Sequence, residues 1–170
     1  MGVGKINAVT DAGPLIHLAE INCLPLLSIF ESLHIPDAVW SETVECGRTP
    51  REDFLKLSNV ERHNLSQSDV TRFVENNNLK DLHSGERECL YLCNQIDVSI
   101  LLTDDLAVRE AAKRLKLIPV GSLGVVAKAY HLGRIPQVEA ERHIINLYDV
   151  SSLFVTRSIV EMAIEQINKP

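Results

Sequence analysis

Two neighbouring carboxylates directly follow an apolar segment in the second half of the chain. Asp104 and Asp105 come at the end of SILLT, residues 99–103, and lead into DLAVREAAKRL, which has helical spacing. Like charges in contact raise each other's pKa unless a cation or a hydrogen-bond donor lies between them. The pair therefore predicts a bound partner at this point of the fold.

Three further acids occupy comparable places. Asp11 directly follows INAVT, residues 6–10; Glu42 lies about one turn into the helix after the second predicted strand; and Glu86 opens a later helix. In open parallel α/β sheets, ligands bind beyond the carboxyl ends of the strands. If the strands that end at residues 10 and 103 are neighbours, these acids meet although they are distant in sequence.

Such a group of acids, with no nearby His or Cys, is an oxygen-only site of the kind that Mg²⁺ or Mn²⁺ prefers. A divalent ion can polarise a phosphoryl oxygen and lower the pKa of an attacking water. Each acid also has a purely structural alternative. Asp11 is a common N-cap type, Glu86 suits the positive end of a helix dipole, and Glu42 fits a solvated face. Glu88 is predicted to lie on the surface.

Basic residues near the same edge could hold a substrate phosphate. The candidate substrate-binding residues are Arg87, Arg109 and Lys113. Arg109 lies four residues after Asp105, so it could grip a phosphate as a bidentate fork. It could equally form an ion pair with Asp105 along the helix. The spacing leaves both interpretations open.

Alternating strands and helices predict a parallel sheet covered on both faces. Asp37 is expected to cap the helix at 37–46, Ser68 or Asp69 the helix through Val74, and Ser84 the helix that follows it. Residues 47–69 give no clear pattern beyond a short strand near Val60. Helices are predicted near 11–24, 24–30, 37–46, 83–98, 105–117, 122–133, 137–147 and 156–168, and strands near 6–10, 33–36, 99–103 and 118–121.

Composition indicates one globular domain. The chain has 170 residues, 45% hydrophobic and 24% charged, and 17 basic against 23 acidic residues give a net charge of −6. This balance disfavours a high-affinity, sequence-reading DNA binder, although an enzyme can hold a polyanion through metal ions. Because we find no apolar run long enough for a membrane span and no signal-peptide pattern, we expect a cytoplasmic protein.

Five segments taken in order resemble the PIN-domain nucleases, especially a short prokaryotic branch with Gly-Glu at the third acidic position. They are VTDAGPLIHL, PDAVWSETV, SGERECLYL, LLTDDLAVREAAKRL and VGSLGVVAKAYHLGRI. The resemblance implies a three-layer α/β/α fold around a parallel sheet of four or five strands. It also implies a Mg²⁺- or Mn²⁺-dependent endoribonuclease acting on single-stranded RNA, often the toxin of a toxin–antitoxin pair. We expect a PIN-like domain at residues 1–135 and a C-terminal helical extension at 136–170 packed on it.

The resemblance also assigns roles to the acids. Asp11 and Glu42 match the first two metal-binding positions, and Glu86 takes a place where most relatives carry Asp. Asp104 or Asp105 supplies the last position: the Thr-x-Asp pattern favours Asp105, whereas direct attachment to the strand favours Asp104. Both are retained as candidates.

Two departures from the family pattern bear on activity. Ala12 stands where relatives carry Ser or Thr, and Glu86 is longer than the usual Asp. Thr10 or Thr103 could supply the missing hydroxyl. A supporting group of this kind matters because its loss costs about 10- to 100-fold in metal affinity or rate. The alternative function is a weakened PIN-like module that binds RNA or a partner protein without cleavage.

The remaining expectations concern partners and rival folds. RNA and a small antitoxin are the expected partners, and the apolar C-terminal helices favour a homodimer. A phosphotransfer domain would need an acid pair after the first strand and a Lys after a later one, and TDAGP and PVGSLG have neither.

Overall fold

The computed structural model describes residues 6–170. Strands and helices alternate along the chain, with a 3₁₀ helix after α1 and a π-helical turn after α2. The elements are β1 Asn7–Thr10, α1 Ala12–Glu20, the 3₁₀ helix Leu24–Ile29, β2 Ser32–Pro36, α2 Asp37–Trp40, the π turn Ser41–Glu45, α3 Arg51–Leu55, β3 Val60–His63, α4 Gln67–Asn76, α5 Ser84–Ile96, β4 Ile100–Leu102, α6 Leu106–Arg114, β5 Ile118–Val120, α7 Ser122–His131, α8 Gln137–Asp149 and α9 Arg157–Asn168.

The five strands form one parallel sheet in the order β3-β2-β1-β4-β5. The central pair is β1 and β4, with Thr10 opposite Leu102. The carboxyl ends of these two strands are therefore adjacent, and Asp11 and Thr103 follow them directly. The three-layer α/β/α architecture and the adjacency of the two strands are confirmed.

The sheet is covered by apolar side chains from the helices on its two faces. The inner strands are almost continuously buried, as expected for a parallel sheet that helices cover on both sides. On the helices, Leu15 and Leu18 of α1 and Leu90 and Leu92 of α5 have no exposed surface. Tight packing of this kind fixes the strand ends that carry the acidic residues.

Several helix starts differ from the sequence predictions by one or two residues. Pro36, not Asp37, is the N-cap of α2, and His83, not Ser84, is the N-cap of α5. The cap of α4 is Ser66, whose side chain accepts a hydrogen bond from the backbone N–H of Asp69. Helix ends are commonly uncertain by one or two residues, so sequence alone places these boundaries only approximately.

The region at 47–69 holds the short helix α3, which the sequence did not predict, as well as the expected strand β3. Asp37 is the first residue of α2, and its carboxylate accepts hydrogen bonds from Arg62 and Asn64 at 3.0 Å each. The acid therefore ties α2 to β3 instead of capping its own helix.

The three C-terminal helices pack against one another. Helix α8 buries Ala140, Ile144 and Leu147, and α9 buries Val160 and Ile167. Among the described residues, none of the helices combines the length and the apolar character needed to span a bilayer.

Candidate active site

Asp11 is the buried centre of the candidate site. Its backbone N–H continues the sheet by donating to the Leu102 carbonyl at 2.9 Å, and the residue is only 6% exposed. One carboxylate oxygen accepts from the Ala12 N–H at 2.8 Å, and the other accepts from the Thr103 hydroxyl at 3.2 Å. Asp11 therefore caps α1, as its structural alternative predicts, and also touches the end of β4.

The electrostatics of Asp11 differ from those of an ordinary cap. The pKa of this carboxyl is raised to about 6, chiefly by burial and also by the charges of Glu86 and Glu42, against the lowering effect of the Ala12 and Thr103 hydrogen bonds. A surface N-cap would keep its charge easily in water. Burial is thus the main reason for the raised pKa of Asp11, with smaller contributions from the two neighbouring acids, and a cation would stabilise the ionised form.

This raised pKa predicts a specific pH dependence of stability in chelator-treated protein. Folded Asp11 keeps its proton up to about pH 6, whereas the unfolded chain releases it near 3.8. Between these values the folded state binds more protons, so the free energy of unfolding falls as pH rises. We expect a loss of up to about 3 kcal/mol from this group.

Urea unfolding at pH 4.5 and pH 7.5 measures the part of this loss that falls above pH 4.5, about 2 kcal/mol, with Asp11→Asn as the reference that lacks the titrating group. The wild type should lose more stability than the variant between the two pH values. Equal losses would show that Asp11 does not titrate in this way.

Glu42 and Glu86 reach the site from two helices that pack together. Glu42 lies in the π turn after α2 and is about half exposed, and π turns of this kind often occur at functional sites. Its Oε2 lies 3.3 Å from the position that a Cβ on Gly85 would take. Glu86 is half-buried, and its Oε2 accepts from the backbone N–H of His83 at 2.8 Å.

Gly85, the glycine of the Gly-Glu pair, leaves room for the Glu42 carboxylate, and this explains why a glycine stands at this position. In Gly85→Ala the new methyl would also lie 3.3 Å from Val39. The better helix propensity of Ala, worth up to about 1 kcal/mol, offsets this crowding, so stability should change little.

Displacement of the Glu42 carboxylate should nevertheless weaken binding of Mn²⁺, a cation that suits these oxygen ligands, by about tenfold. A calorimetric Mn²⁺ titration of wild type and Gly85→Ala, together with their melting temperatures, checks this expectation. An unchanged Mn²⁺ affinity would mean that Glu42 does not need the space over Gly85.

The carboxylates of Asp104 and Asp105 differ in their hydrogen bonds. The Asp104 carboxylate accepts three hydrogen bonds, from the Ser122 N–H at 2.7 Å, the Ser122 hydroxyl at 2.5 Å and His17 Nδ1 at 2.7 Å. Asp105 caps α6 through one oxygen, which accepts from the Val108 N–H at 3.0 Å. The other Asp105 oxygen has no hydrogen-bond partner in residues 6–170, and the residue is exposed.

A single hydroxyl joins the two halves of the site. Thr103 lies 3.2 Å from Asp11 Oδ2 and 3.3 Å from the Asp105 N–H. Asp11 and the start of α6 are therefore separated by one bridging side chain. Thr10 donates to the Asp11 backbone carbonyl instead, so of the two candidates only Thr103 contacts the carboxylate.

His17 and Ser122 are residues of the site that the sequence did not reveal. Gly121 belongs to the same arrangement, because a Cβ there would lie only 2.8 Å from Asp104 Oδ1. The Gly-Ser step at the start of α7 thus supplies a hydroxyl, an N–H and an open space for Asp104. The position of Ser122 two residues after β5, the strand next to β4, was the available sequence signal.

The three predicted substrate-binding residues lie in different surroundings. Arg109 donates to the Thr103 carbonyl at 3.2 Å, and among the described residues it forms no ion pair with Asp105. Arg87 donates to the Lys80 carbonyl and lines an open cavity of about 340 Å³ between α4 and α5. Lys113 is exposed and pairs with Glu110 at 3.2 Å. Of the three, Arg109 is the one in direct contact with a residue of the site.

Glu88 is not on the surface, and that prediction is wrong. It is 5% exposed and accepts hydrogen bonds from the Ala38 N–H at 3.2 Å and from Gln67 at 2.8 Å. The carboxylate thus links α5 to α2 and to the first turn of α4. Its partners explain how a charge is kept in the interior.

The donor set fits a hard divalent cation. The acids offer only oxygen, and Asp11 lies in the electrostatic field of Glu86 and Glu42. Within residues 6–170, no three of these acids bring carboxylate oxygens within 4.8 Å of one another. Mg²⁺ keeps several waters and binds through one or two carboxylates, so it does not require three carboxylates in contact.

Comparison with known protein families agrees with this geometry. The family model DUF3368, described as a PIN domain, matches residues 7–169, and no curated protein matches the chain. The chain therefore belongs to the PIN-domain family. Members of this family are generally nucleases that act on nucleic acids and typically use divalent metals, and the chain is assigned to this class.

Proposed function

We propose that the protein is a Mg²⁺- or Mn²⁺-dependent endoribonuclease that hydrolyses single-stranded RNA. The observation that carries the proposal is the buried Asp11 carboxyl, whose pKa is raised by burial and by Glu86 and Glu42 at the carboxyl end of the sheet. A carboxylate that only caps a helix does not require two further acids nearby, whereas a site that holds a cation and a phosphate does.

The residues divide into those that hold the metal and those that position them. Asp11, Glu42, Glu86 and Asp105 would hold one or two ions. Asp104, fully occupied by His17 and Ser122, positions the start of α6. A bound divalent ion would offset the repulsion among the acids, polarise a phosphoryl oxygen and lower the pKa of the attacking water.

Arg109 is the best-placed residue for the RNA backbone. Its guanidinium is half-buried and held on the Thr103 carbonyl by one nitrogen, which leaves other N–H groups for a phosphate. Arg48, exposed and 3.7 Å from Glu42, offers a second cation at the other side of the site. Local cations of this kind can hold RNA although the net charge is −6.

The finer biological assignments rest on the family resemblance. We place the protein in the cytoplasm as the toxin of a toxin–antitoxin pair, with a small antitoxin as partner. A homodimer is supported by apolar side chains that α8 and α9 leave exposed, among them Val138, Ile145 and Met162.

Cleavage of a mixed RNA pool tests the activity directly. The full chain is incubated with single-stranded RNA, duplex RNA and single-stranded DNA, with Mn²⁺ or Mg²⁺ and with a chelator. We expect metal-dependent cuts in single-stranded RNA only. Binding of RNA without cleavage at any metal concentration would favour the non-cleaving module instead, for which Ala12 is the motivating departure.

A further inference from the structure

A second group of metal-binding side chains lies on strands β2 and β3, away from the acids that follow β1 and β4. It consists of His34, Glu61 and His63, whose ligand atoms all lie within 4.8 Å of one another. His34 is opposite Glu61 in the parallel register, and His63 is two residues further along the edge strand. The alternation of side chains in a strand therefore puts all three on one face of the sheet.

The distances approach those of a metal site. His34 Nδ1 lies 2.8 Å from His63 Nε2 and 3.7 Å from Glu61 Oε2. Ligands bound at about 2.0–2.1 Å in a tetrahedron are about 3.3–3.4 Å apart. These two distances bracket this value, and the third pair, Glu61 and His63, lies within 4.8 Å, so small side-chain movements would close the three groups around an ion.

The Ser32 side chain supports the carboxylate of this group. Its hydroxyl donates to Glu61 Oε1 at 2.8 Å, which fixes one oxygen and leaves Oε2 toward the histidines. Such supporting hydrogen bonds are typical of metal ligands.

We propose that His34, Glu61 and His63 form a binding site for a transition-metal ion of the Zn²⁺, Co²⁺ or Ni²⁺ type. Two imidazoles and one carboxylate are the ligands of several zinc centres, and they discriminate against Mg²⁺, which prefers oxygen. The ion would join the edge strand β3 to β2, with a further coordination position on the side where Glu61 is exposed. This site is distinct from the proposed nuclease site and does not depend on it.

Titration of the chelator-treated full chain with Co²⁺ tests the proposal, because tetrahedral Co²⁺ absorbs visible light much more strongly than octahedral Co²⁺. Asp11→Asn serves as the background, so that binding by the acidic site does not contribute. We expect one equivalent of tetrahedral Co²⁺, displaced by Zn²⁺ and not by Mg²⁺. His63→Gln and Glu61→Gln should weaken binding by more than about tenfold.

Two further variants make the result specific. His131→Gln removes an exposed histidine far along the chain and should bind Co²⁺ as the parent does. Ser32→Ala removes only the supporting hydroxyl, and it should weaken binding without disturbing the strand. Absence of a tetrahedral spectrum in the parent, or equal affinity in the parent and a folded His63→Gln, would overturn the proposal.

Discussion

Replacement of Asp11 by Asn is expected to reduce RNA cleavage by more than about 100-fold, because loss of supporting groups alone costs about 10- to 100-fold and Asp11 is proposed to bind the ion itself. The amide oxygen can still accept from the Ala12 N–H, and the amide NH2 can donate to the Thr103 hydroxyl oxygen, so the fold should remain intact. Removal of a buried charge with a raised pKa should also make the metal-free protein more stable at neutral pH. Loss of activity together with a gain of stability distinguishes a functional acid from a structural one.

Asp97→Asn provides the matched control for this change. Asp97 caps α5 in the left-handed conformation, which Asn also adopts readily, and it precedes β4 at the opposite end of the strand from Asp104. It removes one negative charge without touching the candidate site. Similar cleavage by Asp11→Asn and Asp97→Asn would contradict the role given to Asp11.

Substitutions of Asp104 and Asp105 are expected to have different effects, one chiefly on stability and the other chiefly on cleavage. Asp105→Asn should reduce cleavage by more than about 100-fold with little change in stability, since its side chain leaves one oxygen exposed and Asn also caps helices well. Asp104→Asn should chiefly lower stability, by about 1–3 kcal/mol, because an amide cannot accept all three donors from His17 and Ser122.

Ser122→Ala tests the same assignment from the other side. It removes one of the donors to Asp104 and should lower stability in the same direction by a smaller amount. Melting temperatures and single-turnover cleavage rates of the three variants are the measurements. If Asp104→Asn folded normally and lost all cleavage while Asp105→Asn stayed active, the two roles would have to be exchanged.

The sequence was most informative about the acids that directly follow predicted strands. The apolar segments before Asp11 and Asp104 predicted two buried parallel strands, and their adjacency follows once the sheet order places β1 beside β4. Strand ends at one edge of a parallel sheet bring distant acids near one another. The main part of the candidate site could therefore be predicted before any coordinates.

What the sequence did not reveal depends on neighbours that are distant along the chain. Glu88 is buried because Ala38 and Gln67 satisfy its carboxylate, and neither residue is near it in sequence. Asp104 likewise gains His17 from α1 and Ser122 from α7. Hydrogen-bond partners of this kind have no local periodicity, so pattern analysis leaves them open.

The cluster on β2 and β3 illustrates the role of register. His34 and His63 are 29 positions apart, and β3 lies in the region where the sequence pattern was weakest. A shift of one residue in the β2–β3 pairing would move Glu61 and His63 to the opposite face from His34. Only the observed register brings the three groups together.

Binding of Mn²⁺ followed by calorimetry tests the central claim that the acids at the ends of β1 and β4 form one cation site. The wild type should bind Mn²⁺ in competition with Mg²⁺, and Asp11→Asn should weaken binding by more than about tenfold, whereas His63→Gln should have no effect. Equal Mn²⁺ affinity in wild type and Asp11→Asn would contradict the account.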